Sequence, residues 1–175
     1  MAAEVQITAA GGFATRLGQL MLAGEVTEAD TSGHIGGMRV MAAYVLSVVT
    51  SGRGSYASGD GTAQPIETGT VTLVRPGQPH WYGTEPGRRW SEIFAVFVGP
   101  LFDTLAEAGV LPASGPRKPL QPPPTTTLRV LLRSAPTTSA AAERQLLALA
   151  TWLTDVHPTS DRSHSPEVAA AVELL

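Results

Sequence analysis

Between residues 34 and 98 the chain meets a cluster of turn-forming residues about every ten positions, and this spacing constrains its fold more than any other feature. Thr50-Ser51-Gly52-Arg53-Gly54 is followed by Ser58-Gly59-Asp60-Gly61, Thr68-Gly69, Pro76-Gly77-Gln78-Pro79 and the loop Gly83–Arg88. The segments between them are rich in Val, Leu, Thr and aromatics. Met38–Val49 and Ser55–Ala57 read as strands, Gln64–Glu67 as the return strand of a hairpin turned at Asp60-Gly61, and Thr70–Val74 as a β-branched strand. Two prolines within Pro76–Pro79 exclude helix there. Trp90–Val98 alternates, with Trp90, Glu92, Phe94 and Val96 on one face and Ser91, Ile93, Ala95 and Phe97 on the other. Five to seven short strands in about 65 residues predict an all-β sandwich or barrel.

After Gly99-Pro100 the period changes. Leu101–Ala108 places Leu101, Leu105 and Ala108 on one helical face. Residues 112–124 are proline-rich and predict an irregular linker, and Leu128, Leu131 and Leu132 suggest a helix within 126–134. The strongest helix is Ala140–Val156, with Ala142, Leu146, Leu149, Ala150 and Leu153 in one stripe, Leu147 widening it and Pro158 stopping it. Ser165-Pro166-Glu167 starts a further helix that has barely begun at Leu175, so the chain is expected to be the front part of a longer one. Upstream, Phe13, Leu17, Leu20 and Met21 suit a short amphipathic helix, an ordered arm or a strand.

Composition narrows the function classes. The 175 residues contain no cysteine, which excludes disulfides, a thiol nucleophile and cysteine-ligated zinc. Net charge is −3, without the basic excess that phosphate neutralisation demands, so the chain is not expected to bind nucleic acid by itself. It shows neither a signal peptide nor an apolar run of about 20 residues, so no membrane association is expected and the compartment is read as the cytoplasm. No Gly-x-Ser-x-Gly elbow or phosphate-cradling loop occurs.

The densest cluster of chemistry runs from Gly69 to Phe97: a glycine, a β-branched strand, the bend Pro76-Gly77-Gln78-Pro79-His80, Tyr82, and Trp90 leading into a strand that carries Phe97. This resembles the second conserved motif of cupins, and within them the effector-binding domain of AraC-type transcription regulators. Tyr44-Val-Leu followed by Gly52-Arg-Gly54 looks like that family's Tyr-x-Leu strand and Gly-x-Gly, and Leu20–Ala29 is similar to its first strand after the N-terminal arm. The resemblance spans about residues 20–175. It implies a mainly β fold with α elements, a cupin-like antiparallel β-barrel (jelly roll) followed by C-terminal dimerisation helices. Residues 1–33 would be arm and first strand, 34–99 the barrel, 100–160 the helical dimerisation region, and 161–175 the lead into a DNA-binding domain absent from this sequence. The implied partners are a small-molecule effector (a sugar or a small polar or aromatic metabolite), a second copy of the chain through Leu146, Leu149, Ala150 and Leu153, and DNA only through the absent domain.

Metal-binding cupins supply a His-x-His pair and a glutamate on an early strand, whereas Val45–Thr50 has neither; no metal and no cofactor are expected. A ligand pocket survives without metal. Glu92 can accept hydrogen bonds from hydroxyls or pair with a cation, Trp90 and Phe94 offer rings, His80 and Tyr82 add a donor and an acceptor near the mouth, Arg39 can grip a carboxylate or hydroxyls, and Tyr44 stands either in the pocket or in the core. By resemblance Tyr82, Glu92 and Phe94 fall at pocket positions of arabinose-responsive members. Those members have histidine and tryptophan at the last two, so Glu92 and Phe94 depart from the arabinose pattern. Plainer readings stand beside these. Trp90 and Phe97 suit the core, His80 can bond a turn carbonyl, Arg39 can be a solvated strand end, and a one-residue slip would turn Glu92 outward. The expected activity is regulatory and not enzymatic. The alternatives are a stand-alone metal-dependent cupin enzyme, a dioxygenase or isomerase, and a cupin-like dimer serving only as an assembly platform.

Overall fold

A computed structural model describes residues 4–29, 37–84, 87–133 and 135–157. The elements in chain order are β1 (Glu4–Ala10), β2 (Gln19–Ala29), β3 (Tyr44–Ser58), β4 (Ala63–Glu67), β5 (Val71–Val74), β6 (His80–Gly83), β7 (Trp90–Val98), α1 (Pro100–Glu107), β8 (Gly115–Arg117), α2 (Thr125–Leu132) and α3 (Ser139–Val156). Strand pairing is antiparallel throughout, in the order β1-β2-β7-β3-β5-β8, with β4 and β6 added to β3. This is the mainly β class expected, with one difference. Among the described residues the pairing does not close into a ring, because β1 and β8 each have a single partner strand.

Fifteen-residue β3 organises the arrangement. Its first half lies between β5 and β7; its second half, from Arg53, lies between β4 and β6. The cluster Thr50–Gly54, read from sequence as a turn, is instead a bend inside this strand. The register slips between Val49 and Ser51, and Gly52 takes φ 85°. A Cβ at Gly52 would lie 2.3 Å from the Arg89 carbonyl oxygen, and one at Gly54 would lie 2.2 Å from that of Gly83. The glycines therefore let neighbouring backbones close on β3 without breaking it.

Each large strand presents two buried faces. One carries Leu20, Ala23, Tyr44, Leu46, Val48, Val71, Leu73, Ile93, Ala95 and Phe97, packed under Phe102 of α1, Leu128 and Leu132 of α2, and the apolar stripe of α3. The other, the interior face, carries Ala29, Val45, Val49, Tyr56, Ile66, Val74 and Trp90, with Val26, Met41 and Tyr82 against them. Helix α3 starts where Thr138 caps it, its hydroxyl accepting from the Ala141 N–H at 3.2 Å. The indole of Trp152 donates to the Pro124 carbonyl at 3.2 Å and ties α3 to the start of α2.

Two more expectations change. Of the readings open for Phe13, Leu17, Leu20 and Met21, the helix does not form and the strand does for Leu20 and Met21: a turn from Thr15 to Gly18 leads into β2, whose backbone pairs with β7. Phe13 and Met21 are 45% and 43% exposed, so the helical spacing is accidental. The proline-rich stretch 112–124 contributes β8, in which Pro116 is accommodated because this strand lies at the sheet edge. The helix start at Ser165–Glu167 lies outside the described residues.

Gly52→Ala should destabilise the domain by at least about 2 kcal/mol in urea unfolding, through the positive φ and the clash with Arg89. Leu149→Ala should cost about 2–5 kcal/mol by opening a cavity within one chain, a loss independent of protein concentration.

Candidate functional site

The interior face is polar where its strands cross. Thr72, Ser47, Phe94 and Gly24 form one row across β5, β3, β7 and β2, and Val49, Glu92 and Val26 form the next across β3, β7 and β2. Glu92 is only 8% exposed and Ser47 1%. The Ser47 hydroxyl donates to Glu92 Oε2. Burial pushes the Glu92 carboxyl up to about 7, against the opposing pull of the Ser47 hydrogen bond and the Arg39 charge. The Phe94 ring lies across Gly24, where a Cβ would come within 3.0 Å of Phe94 Cζ.

Above these rows stands an aromatic and cationic group built by the bend Pro76–Pro79. Gly77 takes φ 76° and its N–H donates to the Met41 carbonyl at 2.8 Å, which turns the chain into β6. His80 and Tyr82, two residues apart, then share a side of β6 beside the second half of β3. Arg39 and His80 exchange both backbone hydrogen bonds, at 2.9 and 3.0 Å. Their side chains meet as well, with Arg39 Nε 3.3 Å from His80 Nε2. The Arg39 guanidinium carbon lies 4.4 Å from the centre of the Tyr82 ring, a cation–π contact. His80 stacks on Tyr82 at 6.1 Å, and Tyr82 is tilted against Trp90 at 5.8 Å.

These contacts define the protonation of His80. Its Nδ1 lies 2.9 Å from the Gln78 carbonyl oxygen, which can only accept, so Nδ1 carries the hydrogen. Nε2 then holds a lone pair that accepts from Arg39 Nε. A protonated ring would set two donors against each other. Burial, first, and the Arg39 charge lower the His80 pKa, partly offset by the Gln78 carbonyl. Tyr82 is raised by burial and by the Glu92 charge.

The structure thus brings Arg39, His80, Tyr82, Trp90, Glu92 and Phe94 to the interior side of the sheet. Arg39 is exposed at its margin, and His80 is fully buried. His80 also bonds the turn carbonyl foreseen as its plainer reading. Tyr44 is placed apart. It points to the helix side, stacks on Phe97 at 5.4 Å, and donates to Asp103 Oδ1 at 2.9 Å; burial and that partner push its pKa up to about 12. One residue of strand phase separates it from Val45 and sends it to the opposite face. Leu146, Leu149, Ala150 and Leu153 are likewise spent on the chain's own sheet. The outward side of the helices shows Leu147 and Val130 instead, 48% and 62% exposed.

Ser47 and Thr72 escaped the sequence reading as site residues. Their signal was a single polar residue inside an apolar strand on the phase of Glu92. Thr72 Oγ1 and Trp90 Nε1 are buried without a hydrogen-bond partner. Two orphan polar groups on one buried face invite an external partner, since such groups are rarely left unpaired. Among the described residues no three His, Asp or Glu side chains converge to hold a metal, and no helix is long and apolar enough to cross a membrane.

A sheet with helices over one face and a polar, aromatic-lined second face suits a ligand-binding domain. The sequence profile of the AraC-like ligand binding domain matches residues 22–154, and the chain belongs to that family. Comparison with curated protein sequences finds no match. Among solved structures, the chain is similar to apo ToxT K231A from Vibrio cholerae, at 8% identity and TM-score 0.47, with 99% of this chain and 65% of that one covered. It is also similar to the AraC-like transcriptional activator CuxR, at 14% identity and TM-score 0.44, covering 90% and 58%. A cupin-like protein from Thermotoga maritima aligns at 18% identity and TM-score 0.43, covering 54% and 67%. The chain therefore spans about two thirds or less of ToxT and CuxR, and the family assignment rests on the sequence profile.

The raised Glu92 pKa carries a sign. Between about 4.5 and 7 the folded state holds a proton that the unfolded state releases, so this group's contribution to stability falls as pH rises through that window. Glu92→Gln removes the cost of burying the charge. The stability of the variant minus that of the wild type, from urea unfolding, should therefore be larger at pH 8 than at pH 4.5, by up to roughly 3 kcal/mol. Taking this difference cancels much of the contribution of His80, whose lowered pKa acts with the opposite sign.

Proposed function

We propose that this domain is the effector-sensing part of an AraC-type bacterial transcription regulator that works in the cytoplasm. A small molecule binds on the interior face, among Glu92, Ser47, Trp90, Phe94, Tyr82, His80 and Arg39, and occupancy governs DNA binding by a helix-turn-helix domain elsewhere in the regulator. The observation that carries this reading is the buried Glu92–Ser47 pair on the same face as the orphan Trp90 Nε1 and Thr72 Oγ1, ringed by aromatic side chains. Family membership supports it.

The mechanism is a population shift: the ligand favours one arrangement of domains or copies by its differential affinity for it. Pairing with a second copy would use the outward side of α2 and α3, where Val130 and Leu147 are exposed, because the other stripe of α3 is occupied. The regulatory reading is favoured over the enzymatic one by His80, whose two ring nitrogens are both engaged and whose neutral tautomer is held in place. Such a histidine orients a neighbour and is poorly suited to exchanging protons with a substrate.

A thermal-shift screen against sugars and small aromatic acids tests this. Any compound present at a hundred times its Kd should stabilise the protein by about 2.7 kcal/mol. The gain should vanish in Ser47→Phe, which fills the interior face and leaves the helix-covered face untouched. Stabilisation that is equal in the wild type and Ser47→Phe contradicts the site.

A further inference from the structure

The interior margin holds a cation whose outer edge is uncommitted to any acid. Arg16, Lys118 and Arg129 each meet a carboxylate, in Glu143, Glu67 and Glu25. The guanidinium of Arg75 is spent on the carbonyls of loop 111–112. Arg39 differs. Its Nε is engaged by His80 and its plane by the Tyr82 ring, and among the described residues no carboxylate lies within ion-pair distance of it. Its backbone is pinned to His80 by two hydrogen bonds. The side chain is thus oriented in advance, held also by a hydrogen bond to the Tyr82 hydroxyl, and its guanidinium carries the forked edge that matches a planar carboxylate.

The inner end of the same site has the opposite character. Glu92, Ser47, Trp90 and Thr72 offer hydrogen-bonding groups in a buried setting, and the cation that acts on both Glu92 and Tyr82 is Arg39. A second negative charge placed there would meet Glu92 with no further cation to offset it. A neutral sugar would leave the Arg39 fork without its best partner.

Resting on the function proposed above, we infer that the ligand is a small organic monoanion, a carboxylate held by the outer edge of Arg39, with an uncharged, hydroxyl-bearing body lying over Tyr82 and Trp90 toward Glu92. The aromatic surroundings favour a flat body: Tyr82 and Trp90 pack against each other at 5.8 Å between ring centres, tilted by 47°.

The test compares 4-hydroxybenzoate with 4-hydroxybenzamide, which share a shape and differ in charge. The readout is the indole N–H resonance of Trp90 in isotope-labelled protein, followed through a titration of each compound. The acid is expected to move this resonance saturably and to bind roughly tenfold to a hundredfold more tightly than the amide, the range of a charge-assisted hydrogen-bonded pair. Arg39→Gln should bring the affinity for the acid down to that for the amide measured in the same variant. Arg39→Lys should restore part of the difference. If acid and amide shift Trp90 with equal affinity, the charge inference falls and the interior site stands. If neither compound moves Trp90 up to its solubility limit in folded wild-type protein, both fall.

Discussion

One strand holds the two halves of this domain together, and its bend sets where everything else can go. β3 is flanked on both sides along its length, first by β5 and β7 and then by β4 and β6. The transition is possible because Gly52 and Gly54 bring no side chain to positions where the backbones of Arg89 and Gly83 press in. Trp90 starts β7 beside this bend, and β6 delivers His80 and Tyr82 just beyond it. A straight, side-chain-bearing β3 would leave these three rings without a common neighbourhood. The site is a consequence of how one strand turns.

The two faces of the sheet divide the energetic work. The helix side is largely apolar; its Tyr44 hydroxyl is paired with Asp103 and its Trp152 indole with the Pro124 carbonyl. The interior side carries costs of its own: a buried carboxyl with a raised pKa, a histidine held in one tautomer, and Thr72 Oγ1 and Trp90 Nε1 without partners. Local departures from an ideal core of this kind concentrate where a protein meets its ligand. The cost is borne by the large apolar cluster between sheet and helices, which contains Leu146, Leu149, Ala150 and Leu153 of α3.

Much of this was legible in the residues. Strand β7 was read with its observed limits because nothing interrupts its alternation, and that phase correctly put Glu92 and Phe94 with Trp90. Helix α3 was visible for the same kind of reason. Other elements were hidden by ambiguity of a physical sort. Glycine marks both turns and bulges, so Thr50–Gly54 looked like an end of β3 when it is its bend. Phe13, Leu17, Leu20 and Met21 fell by chance on a helical spacing in a stretch where pairing with β7 decides the structure. In the site, Tyr44 lay one residue out of phase, while Ser47 and Thr72 looked only like weak points in apolar strands. The Arg39–His80 contact spans 41 positions and rests on an isolated pair of backbone bonds, which no local pattern announces.

The account's central claim is that Glu92 is buried on a ligand-facing side of the sheet, and the titration of its side-chain carboxyl carbon by NMR tests this most directly. The predicted midpoint in the free protein is about 7, moving when a stabilising ligand is added. A midpoint in the ordinary carboxylate range of about 4.3, unaffected by such a ligand, would show a solvated group on an outward face and contradict the account.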